Sequence, residues 1–264
     1  MNSLELFKTQ KFYQIDISIL KDLGYDVLLS NRIFDSLLFW KYDILFSYFY
    51  RYSFFAALLA KCFGKKTYFT GGIDSLDSDY ASAFNYKIQA LFFKLCYWVA
   101  DSCIIVSQSD LKNIFKVSSL KKKLSYSEHV INTKLFIADV PKEKIFTSIV
   151  WMGDEGNVVR KGVDKALQIF AELKKIPEFV DYRFVIIGRK GEGEVLVRSI
   201  IDKYNLKGSV ELKGEVSEED KINLLKQSKY YFQLSLYEGF GLAALEALCA
   251  NNIIIHSGKG GLAN

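Results

Sequence analysis

Residues 230–261 read YYFQLSLYEGFGLAALEALCANNIIIHSGKGG, and they carry more structural information than any other part of the chain. The run 230–236 is short, apolar and aromatic, which predicts a buried parallel strand. Glycines follow, then an alanine- and leucine-rich helical pattern at about 241–250 and a β-branched strand at 253–255. This order of strand, glycine turn, helix and strand directs free backbone N–H groups and the positive end of a helix towards an anion.

Two glycines and two glutamates in this stretch are candidates for ligand contact. Gly239 and Gly241 let the backbone approach a ligand closely, which a side chain would prevent. Glu238 follows the strand at its carboxyl end, where open α/β sheets bind ligands. Glu246 lies within the helix, and its carboxylate can accept hydrogen bonds from both hydroxyls of a ribose. Taken alone, EGFG favours an ordinary glycine turn with one solvated glutamate, so the flanking residues decide between the two interpretations.

The flanks resemble the donor-nucleotide motif of glycosyltransferase family 4 (glycosyl transferases group 1), the retaining glycosyltransferases of the GT-B fold. The matching positions are Ser235, EGFG at 238–241, Leu242, LEA at 245–247 and the glycine pair at 260–261. The resemblance implies an α/β protein with two Rossmann-like, doubly wound parallel-sheet domains that face each other across a cleft. It also implies that the N-terminal domain lacks the family's usual first strand and that the C-terminal domain is truncated at its end.

The resemblance gives three residues catalytic roles in moving a sugar from a nucleotide-diphospho-sugar to a hydroxyl acceptor. Lys161, in the run Arg160-Lys161-Gly162, matches the family's phosphate-binding lysine. With Arg160 it would stabilise the departing diphosphate, while Glu238 would hold sugar hydroxyls near the reacting carbon. The chain departs from the family at Asp154, where an arginine is usual. Either Arg160 substitutes for that arginine, or the site lacks one positive charge.

The resemblance also implies which residues bind the donor. Glu246 would hold the ribose, Gly188 lies in a glycine turn that packs near the nucleotide, and Lys213 lies in a segment whose backbone meets the base. The complete set of donor-binding candidates is Gly188, Lys213, Gly239, Phe240, Gly241, Leu242 and Glu246. The implied reaction uses no metal and no cofactor, and its donor is a UDP- or GDP-sugar.

Two features of the N-terminal half bear on this activity. The family often carries a histidine beside the donor sugar, and this chain has Gly71 and Gly72 at the matching place. The string Asp77-Ser78-Asp79 has the D-x-D form that binds a divalent cation in the other glycosyltransferase architecture. Because the string precedes a helix, an N-cap role is favoured and no metal site is predicted.

Alternating strand and helix patterns run through the chain and predict parallel, doubly wound sheets. A connection at Pro141 divides an acceptor-side domain, 1–140, from a donor-binding domain, 141–264. In the first domain we predict helices at 7–23, 53–63, 80–99 and 110–115 and strands at 25–30, 42–50, 66–70 and 103–106. In the second, before the opening stretch, we predict strands at 148–152, 183–187 and 210–212 and helices at 163–175, 194–204 and 218–226.

The net positive charge of the chain lies entirely in residues 1–142. Up to Lys142 there are 18 basic and 13 acidic residues, whereas the remainder has 17 of each. A basic and aromatic half fits an anionic acceptor or a membrane surface, although a solvated lysine loop explains Lys121-Lys122-Lys123 equally well. The four cysteines have no disulfide or zinc spacing, and no secretory signal or clean membrane-spanning run is found. We expect a cytoplasmic protein, with a peripheral position on the inner face of the membrane left open.

These observations leave two functions of different class. The first is a glycosyltransferase acting on a glycan or lipid-linked intermediate of envelope polysaccharide synthesis, an acceptor suggested by the resemblance and the basic half. The second is a catalytically inactive GT-B-like nucleotide-binding or scaffold protein, favoured by Asp154 and by the glycines at 71 and 72. A nicotinamide-dependent enzyme is disfavoured because no G-x-G-x-x-G follows any strand pattern, and only the lysine triplet favours nucleic acid.

Overall fold

The computed structural model describes residues 3–71, 73–137 and 139–263. It divides into two compact units, one ending at Ile131 and the other covering Asn132–Ala263. This division lies before the boundary predicted at 140/141, and Phe136, which is 1% exposed, is grouped with the second unit. Gly72, one of the two glycines noted above, lies outside the described residues.

The first unit is a parallel sheet with helices. Its helices are α1 Ser3–Thr9, α2 Lys11–Asp22, α3 Tyr50–Cys62, α4 Ala83–Val99 and α5 Gln108–Val117, and its strands are β1 Ile44–Tyr48, β2 Lys66–Thr70, β3 Ser102–Ile105 and β4 Leu124–Tyr126. The strands lie side by side in chain order and are all parallel. Helices α3 and α4 bury their aromatic and small side chains on the sheet, with Phe69 and Phe93 fully buried in the core. The strand predicted at 66–70 is confirmed without change.

Two predictions for the first 30 residues are wrong. The helix predicted at 7–23 is two helices, because Gln10 is extended (φ −88°, ψ 122°) and separates α1 from α2. The strand predicted at 25–30 does not form: Leu28 is 70% exposed, and the side chain of Ser30 accepts from the Arg32 N–H and donates to Asp35. A local pattern of apolar residues makes a strand only where a neighbouring strand completes its hydrogen bonds.

The longest apolar helical pattern, predicted at 80–99, forms α4. This helix has 17 residues, and Lys87 and Lys94 interrupt its apolar pattern. None of the helices in the part of the chain that the structure describes is long and apolar enough to cross a bilayer.

The second unit is a doubly wound parallel sheet. Its helices are α6 Glu155–Lys161, α7 Val163–Leu173, α8 Glu194–Lys203, α9 Glu218–Gln227 and α10 Leu242–Cys249, and its strands are β5 Glu143–Ile149, β6 Arg183–Ile187, β7 Val210–Gly214, β8 Ser228–Gln233 and β9 Ile253–His256. The strand order is β7-β6-β5-β8-β9, and every pair is parallel. The order reverses between β5 and β8, and ligands of such sheets bind beyond the carboxyl ends of the strands at that reversal.

The central strand β5 begins earlier than predicted, at Glu143 instead of Ser148. Its hydroxyl side chains are buried because β8 satisfies them: the Thr147 hydroxyl bonds the Ser228 hydroxyl, and the Ser148 hydroxyl donates to the Phe232 carbonyl at 2.9 Å. Hydroxyls paired in this way are compatible with a strand core. The apolar pattern alone does not reveal such pairing, so the predicted strand was displaced towards 148–152.

Helix α6 was not predicted, although both of its ends carry recognisable caps. The Asp154 carboxylate accepts the N–H of Asn157 at 2.6 Å, and Gly162 ends the helix in the left-handed region at φ +70°. Asp154, which departs from the resembled family, therefore has a structural role here as an N-cap. The helix is only seven residues long, which is too short for a clear periodic pattern.

Candidate functional site

The candidate site lies beyond the carboxyl ends of β5 and β8, where the strand order of the second unit reverses. The segment after β5 leads to α6 and supplies Arg160, Lys161 and Gly162, and the segment after β8 supplies Glu238 and the glycine turn before α10. The backbone joins these two segments directly. The Leu236 N–H donates to the Arg160 carbonyl at 2.8 Å, which also explains why β8 ends at Gln233 and not at Leu236 as predicted.

Lys161 and Glu238 form an ion pair, although 77 residues separate them. The Lys161 Nζ donates to the Glu238 Oε2 at 2.8 Å, and both side chains are about one-fifth exposed, 22% and 18%. A partly buried, charge-assisted hydrogen bond of this length is a specific contact and more than a screened surface pair. Two of the three residues predicted to be catalytic are thus in contact with each other.

Two uncharged side chains complete the surroundings of Glu238. Gln233 Nε2 donates to the Glu238 Oε2 at 3.2 Å and to the Ser235 Oγ at 2.8 Å, and the Ser235 hydroxyl donates to the same Oε2 at 3.1 Å. Gln233 is 6% exposed and Ser235 is fully buried. Sequence reasoning named Ser235 only as part of the motif and missed Gln233, whose one signal was a polar residue inside an apolar strand pattern.

Glu246 is the fifth of the eight residues of α10 and is 3% exposed. Its Oε2 accepts from the Lys221 Nζ at 2.8 Å, and Lys221, on α9, also contacts Glu218 at 3.0 Å. Lys221 was not a predicted site residue, and nothing in its local sequence indicates a partner 25 residues away. Each of the two glutamates of the motif is therefore paired with a lysine from another segment of the same unit.

The tyrosine Tyr231 lies near both carboxylates. It is fully buried on β8, its hydroxyl oxygen accepts the Ile149 N–H, and its proton is donated to the Gln233 Oε1 at 3.1 Å. Burial raises the pKa of Tyr231 above its usual value, and the charges of Glu238 and Glu246 raise it further. The hydroxyl is therefore a constant hydrogen-bond donor at physiological pH.

The glycine turn requires its glycines for two different reasons. Gly241 has φ +92°, a left-handed conformation that side chains disfavour, and it is the residue before α10. Gly260 and Gly261 pack against the turn: a Cβ on Gly260 would lie 2.1 Å from the Glu238 carbonyl, which accepts the Gly261 N–H at 2.6 Å. Phe240 is half-buried within the turn, and Leu242 begins the helix.

The other predicted residues lie further from this contact. The Arg160 guanidinium donates to the Asn157 Oδ1 at 2.7 Å, within its own helix. Gly188 follows β6, and a Cβ there would lie 2.0 Å from the Val150 carbonyl, so its close packing against β5 already requires glycine. Lys213, on the edge strand β7, is 3.9 Å from Glu211 and borders a depression of about 630 Å³ between β7 and α9. The structure brings Lys161 and Glu238 together but does not bring Arg160 or Lys213 to them.

A family model described as glycosyl transferases group 1 matches residues 156–264. The match covers 109 of the 264 residues, all of them C-terminal to Glu155. The resemblance seen in the sequence is confirmed, and the match includes Lys161, Glu238 and Glu246.

Two curated proteins that are similar to this chain carry names that differ in donor and acceptor. GDP-mannose:cellobiosyl-diphosphopolyprenol alpha-mannosyltransferase of Xanthomonas oryzae pv. oryzae is 36% identical over 101 residues, which are 38% of this chain and 26% of that protein. A phosphatidylinositol N-acetylglucosaminyltransferase subunit of Arabidopsis thaliana is 27% identical over 165 residues, 61% of this chain and 36% of that protein. The chain thus spans well under half the length of these relatives.

Solved structures of similar fold cover more of the chain than the family model does. The structure of Anabaena HepE in complex with UDP-glucose has a TM-score of 0.70 at 13% identity and covers 94% of this chain and 71% of its own. Sucrose-phosphate synthase from Thermosynechococcus elongatus has a TM-score of 0.66 at 19% identity, with 97% and 62% covered. These likenesses confirm the predicted fold class, α/β with doubly wound parallel sheets of the GT-B type.

Proposed function

We propose that the protein is a retaining glycosyltransferase that moves a sugar from a nucleotide-diphospho-sugar to a hydroxyl acceptor. The observation that carries the proposal is the contact of Lys161 with Glu238 at the reversal of strand order, next to the glycine turn of α10. A cation, a carboxylate and the amino end of a helix are thereby placed at the edge of the sheet where ligands bind. The group 1 match supports the assignment because it includes both residues.

In the proposed mechanism the chain itself stabilises the departing diphosphate. Lys161 exchanges its contact with Glu238 for a phosphate oxygen, and the backbone N–H groups of Gly241 and Leu242 face the same anion. Glu238, once released from Lys161, accepts hydroxyl hydrogen bonds from the sugar near the reacting carbon. Arg160 supplies a further positive charge by turning away from Asn157. Lys161, Arg160 and the backbone N–H groups provide positive charge where negative charge develops on the diphosphate. We therefore propose that the transfer is metal-independent.

The names of relatives and neighbours guide the choice of substrates. One relative is named for GDP-mannose and a diphosphopolyprenol-linked acceptor, another for transfer to phosphatidylinositol, and one structural neighbour was solved with UDP-glucose. We therefore propose a UDP- or GDP-sugar as donor and a glycan or lipid-linked intermediate as acceptor, in envelope polysaccharide synthesis. Glu246 would bind the ribose of the donor, and Gly188 and Lys213 would border the nucleotide.

Calorimetric titration with UDP and GDP, and then with their sugar conjugates, tests the donor site. We expect one nucleotide to bind, and we expect Glu246→Ala to weaken its binding about 10- to 100-fold, the loss for hydrogen bonds to a charged group. Glu178→Ala, on the short helical turn Pro177–Phe179, is the control and should bind as the natural protein does. A folded protein that binds neither nucleotide would overturn the proposal.

A second candidate function is a nucleotide-binding protein without transferase activity. The observation that favours it is that both motif glutamates already hold lysines, and that Asp154 caps a helix where the family has an arginine. Slow hydrolysis of the sugar nucleotide in water distinguishes the two functions. Hydrolysis that Glu238→Gln lowers about a hundredfold or more, to a residual rate that is still measurable, supports the transferase. Binding without any turnover supports the inactive protein.

A peripheral membrane contact through the first unit is also proposed, together with a cytoplasmic location. Residues 33–40, hereafter the 33–40 segment, expose Phe34 at 77% and Trp40 at 67%, and the basic residues Arg32 and Lys41 flank it. Exposed aromatic side chains beside positive charge suit the interface of an anionic bilayer.

Co-sedimentation with vesicles tests the membrane contact of the 33–40 segment. We expect binding to vesicles rich in phosphatidylglycerol, and we expect Phe34→Ser combined with Trp40→Ser to weaken it about tenfold or more, since each buried aromatic contributes about 1.5–3 kcal/mol. Val195→Ser removes an equally exposed apolar side chain, 70% exposed, from the second unit and serves as the control. Equal binding by the double variant and the control would contradict the proposal.

A further inference from the structure

The strand β8 carries a polar side chain that the mechanism above does not use. Gln233 is the last residue of β8 and is 6% exposed, between the neighbouring strands β5 and β9. Burying an amide is unfavourable unless its hydrogen bonds are made, and an apolar side chain would fit a strand core without that requirement. The hydrogen-bond partners of Gln233 therefore indicate why an amide stands at this position.

The orientation of the Gln233 amide follows from its neighbours. The Ile149 N–H donates to the Tyr231 hydroxyl oxygen at 3.3 Å, so the hydroxyl proton is free to be donated to the Gln233 oxygen at 3.1 Å. The Gln233 amide nitrogen is then the end that faces the site, where it donates to Ser235 and to Glu238. The hydrogen bonds therefore form a chain in which Tyr231 donates to Gln233 and Gln233 donates to Glu238, so that every donor points towards the Glu238 carboxylate.

Three side-chain donors converge on a single oxygen of Glu238. Its Oε2 accepts from Lys161 at 2.8 Å, from Ser235 at 3.1 Å and from Gln233 at 3.2 Å. Within the described residues, the other oxygen, Oε1, accepts no hydrogen bond. Three donors on one oxygen hold the carboxylate in one rotamer and leave Oε1 to accept from a ligand.

We propose that Gln233 is a positioning residue for Glu238: it holds the carboxylate in the orientation that presents Oε1 to a hydroxyl of the donor sugar. This inference rests on the proposed function, because it takes Glu238 to be the residue that contacts the sugar. When the diphosphate takes Lys161 away from Glu238, Gln233 and Ser235 keep two of the three donors in place. The orientation of Glu238 then does not depend on Lys161 during the reaction.

A double-mutant cycle between Gln233 and Glu238 tests this role, measured as sugar-nucleotide hydrolysis and transfer. We expect Gln233→Leu to lower kcat about 10- to 100-fold, the range for partners that orient a reacting group, while the Kd of the free nucleoside diphosphate stays within twofold. We expect Gln233→Leu added to Glu238→Gln to cost nothing further, because a residue that acts only through Glu238 has no effect once that carboxylate is gone. Additive losses, or an unchanged kcat in Gln233→Leu, would overturn the inference.

Two further variants separate positioning from stability. Ser148→Ala removes a buried hydrogen bond to the same strand, the one accepted by the Phe232 carbonyl, and should leave kcat unchanged. Gln233→Glu keeps the size and the oxygen that accepts from Tyr231, but it sets a second carboxyl group beside Glu238 in place of the amide. Like charges at this distance share a proton and raise the pKa of the pair, so the acid limb of the kcat profile should move to higher pH by about one unit or more.

The titratable groups around this pair are Lys161 from α6, Tyr231 from β8 and His256, the register partner of Gln233 on β9, and Glu246 from α10 acts on Tyr231. All four remain in the Gln233→Glu variant. An unmoved acid limb in a folded Gln233→Glu protein would therefore count against the positioning role. Failure of the proposed function has a different signature. In that case the natural protein shows no turnover, or Glu238→Gln leaves turnover unchanged, whatever residue stands at 233.

Discussion

Replacing Lys161 with alanine is expected to lower kcat for sugar-nucleotide turnover by about 10²–10³, the cost of removing one donor that stabilises a developing anion. The protein should remain folded, because the Lys161 side chain is 22% exposed and Glu238 keeps its hydrogen bonds to Gln233 and Ser235. Steady-state hydrolysis at saturating donor measures the effect, and the thermal midpoint confirms folding.

Lys165→Ala is the matched control for this experiment. Lys165 is an exposed lysine on the neighbouring helix α7, four positions along the chain, and its removal changes the net charge by the same amount. We expect its kcat to equal that of the natural protein. A loss below threefold in Lys161→Ala would remove Lys161 from the mechanism and leave its ion pair with Glu238 as a structural contact.

Replacing Lys221 with methionine is expected to lower the free energy of unfolding by about 3–5 kcal/mol at neutral pH, because it leaves a buried carboxylate without its cation. The side chains of Glu246 and Lys221 are 4% and 13% exposed, so water cannot replace the ion pair at 2.8 Å. Urea denaturation at neutral pH, compared with the natural protein, measures the difference.

Two other variants make the Lys221 result interpretable. Lys144→Met breaks an ion pair of similar length, 2.9 Å to Asp181, between side chains that are 59% and 69% exposed. It should cost less than about 1 kcal/mol, as exposed pairs do. The double variant Lys221→Met with Glu246→Leu should recover most of the lost stability, because the buried charge that lost the Lys221 ammonium is gone as well. A deficit in Lys221→Met no larger than that of Lys144→Met would show that Glu246 is not buried as a charge.

The local pattern of the chain predicts those elements whose determinants lie within them. The strands at 66–70 and 183–187 are confirmed residue for residue, and the stretch after β8 gives the predicted turn, helix and strand. The strand predicted at 25–30 fails for the opposite reason: its residues suit a strand, but a strand also needs a neighbour, which no local pattern contains. Helix α6 is short, and only its caps, Asp154 and Gly162, mark it in the sequence.

The residues of the candidate site also fall into those that the local sequence predicts and those that only the folded structure identifies. The motif and the resemblance named Lys161, Glu238 and Glu246, and the structure joins the first two; their roles in catalysis stay predictions until the variants are measured. Gln233 and Lys221 were not predicted as site residues, because their contacts with Glu238 and Glu246 form only when the chain folds. Residues of this kind follow from tertiary structure and not from a motif.

The junction between the end of α6 and the loop after β8 has a consequence for engineering. Leu236 donates to the Arg160 carbonyl, and Gly162 lies so close to Leu234 that a Cβ on it would be 2.1 Å from that carbonyl. The end of α6 that carries Lys161 and the loop that carries Glu238 are therefore packed against each other through their backbones, without room for a side chain between them. A chimera built with a homologous protein should exchange both segments together, since a graft of either one alone brings a backbone shaped for a different partner.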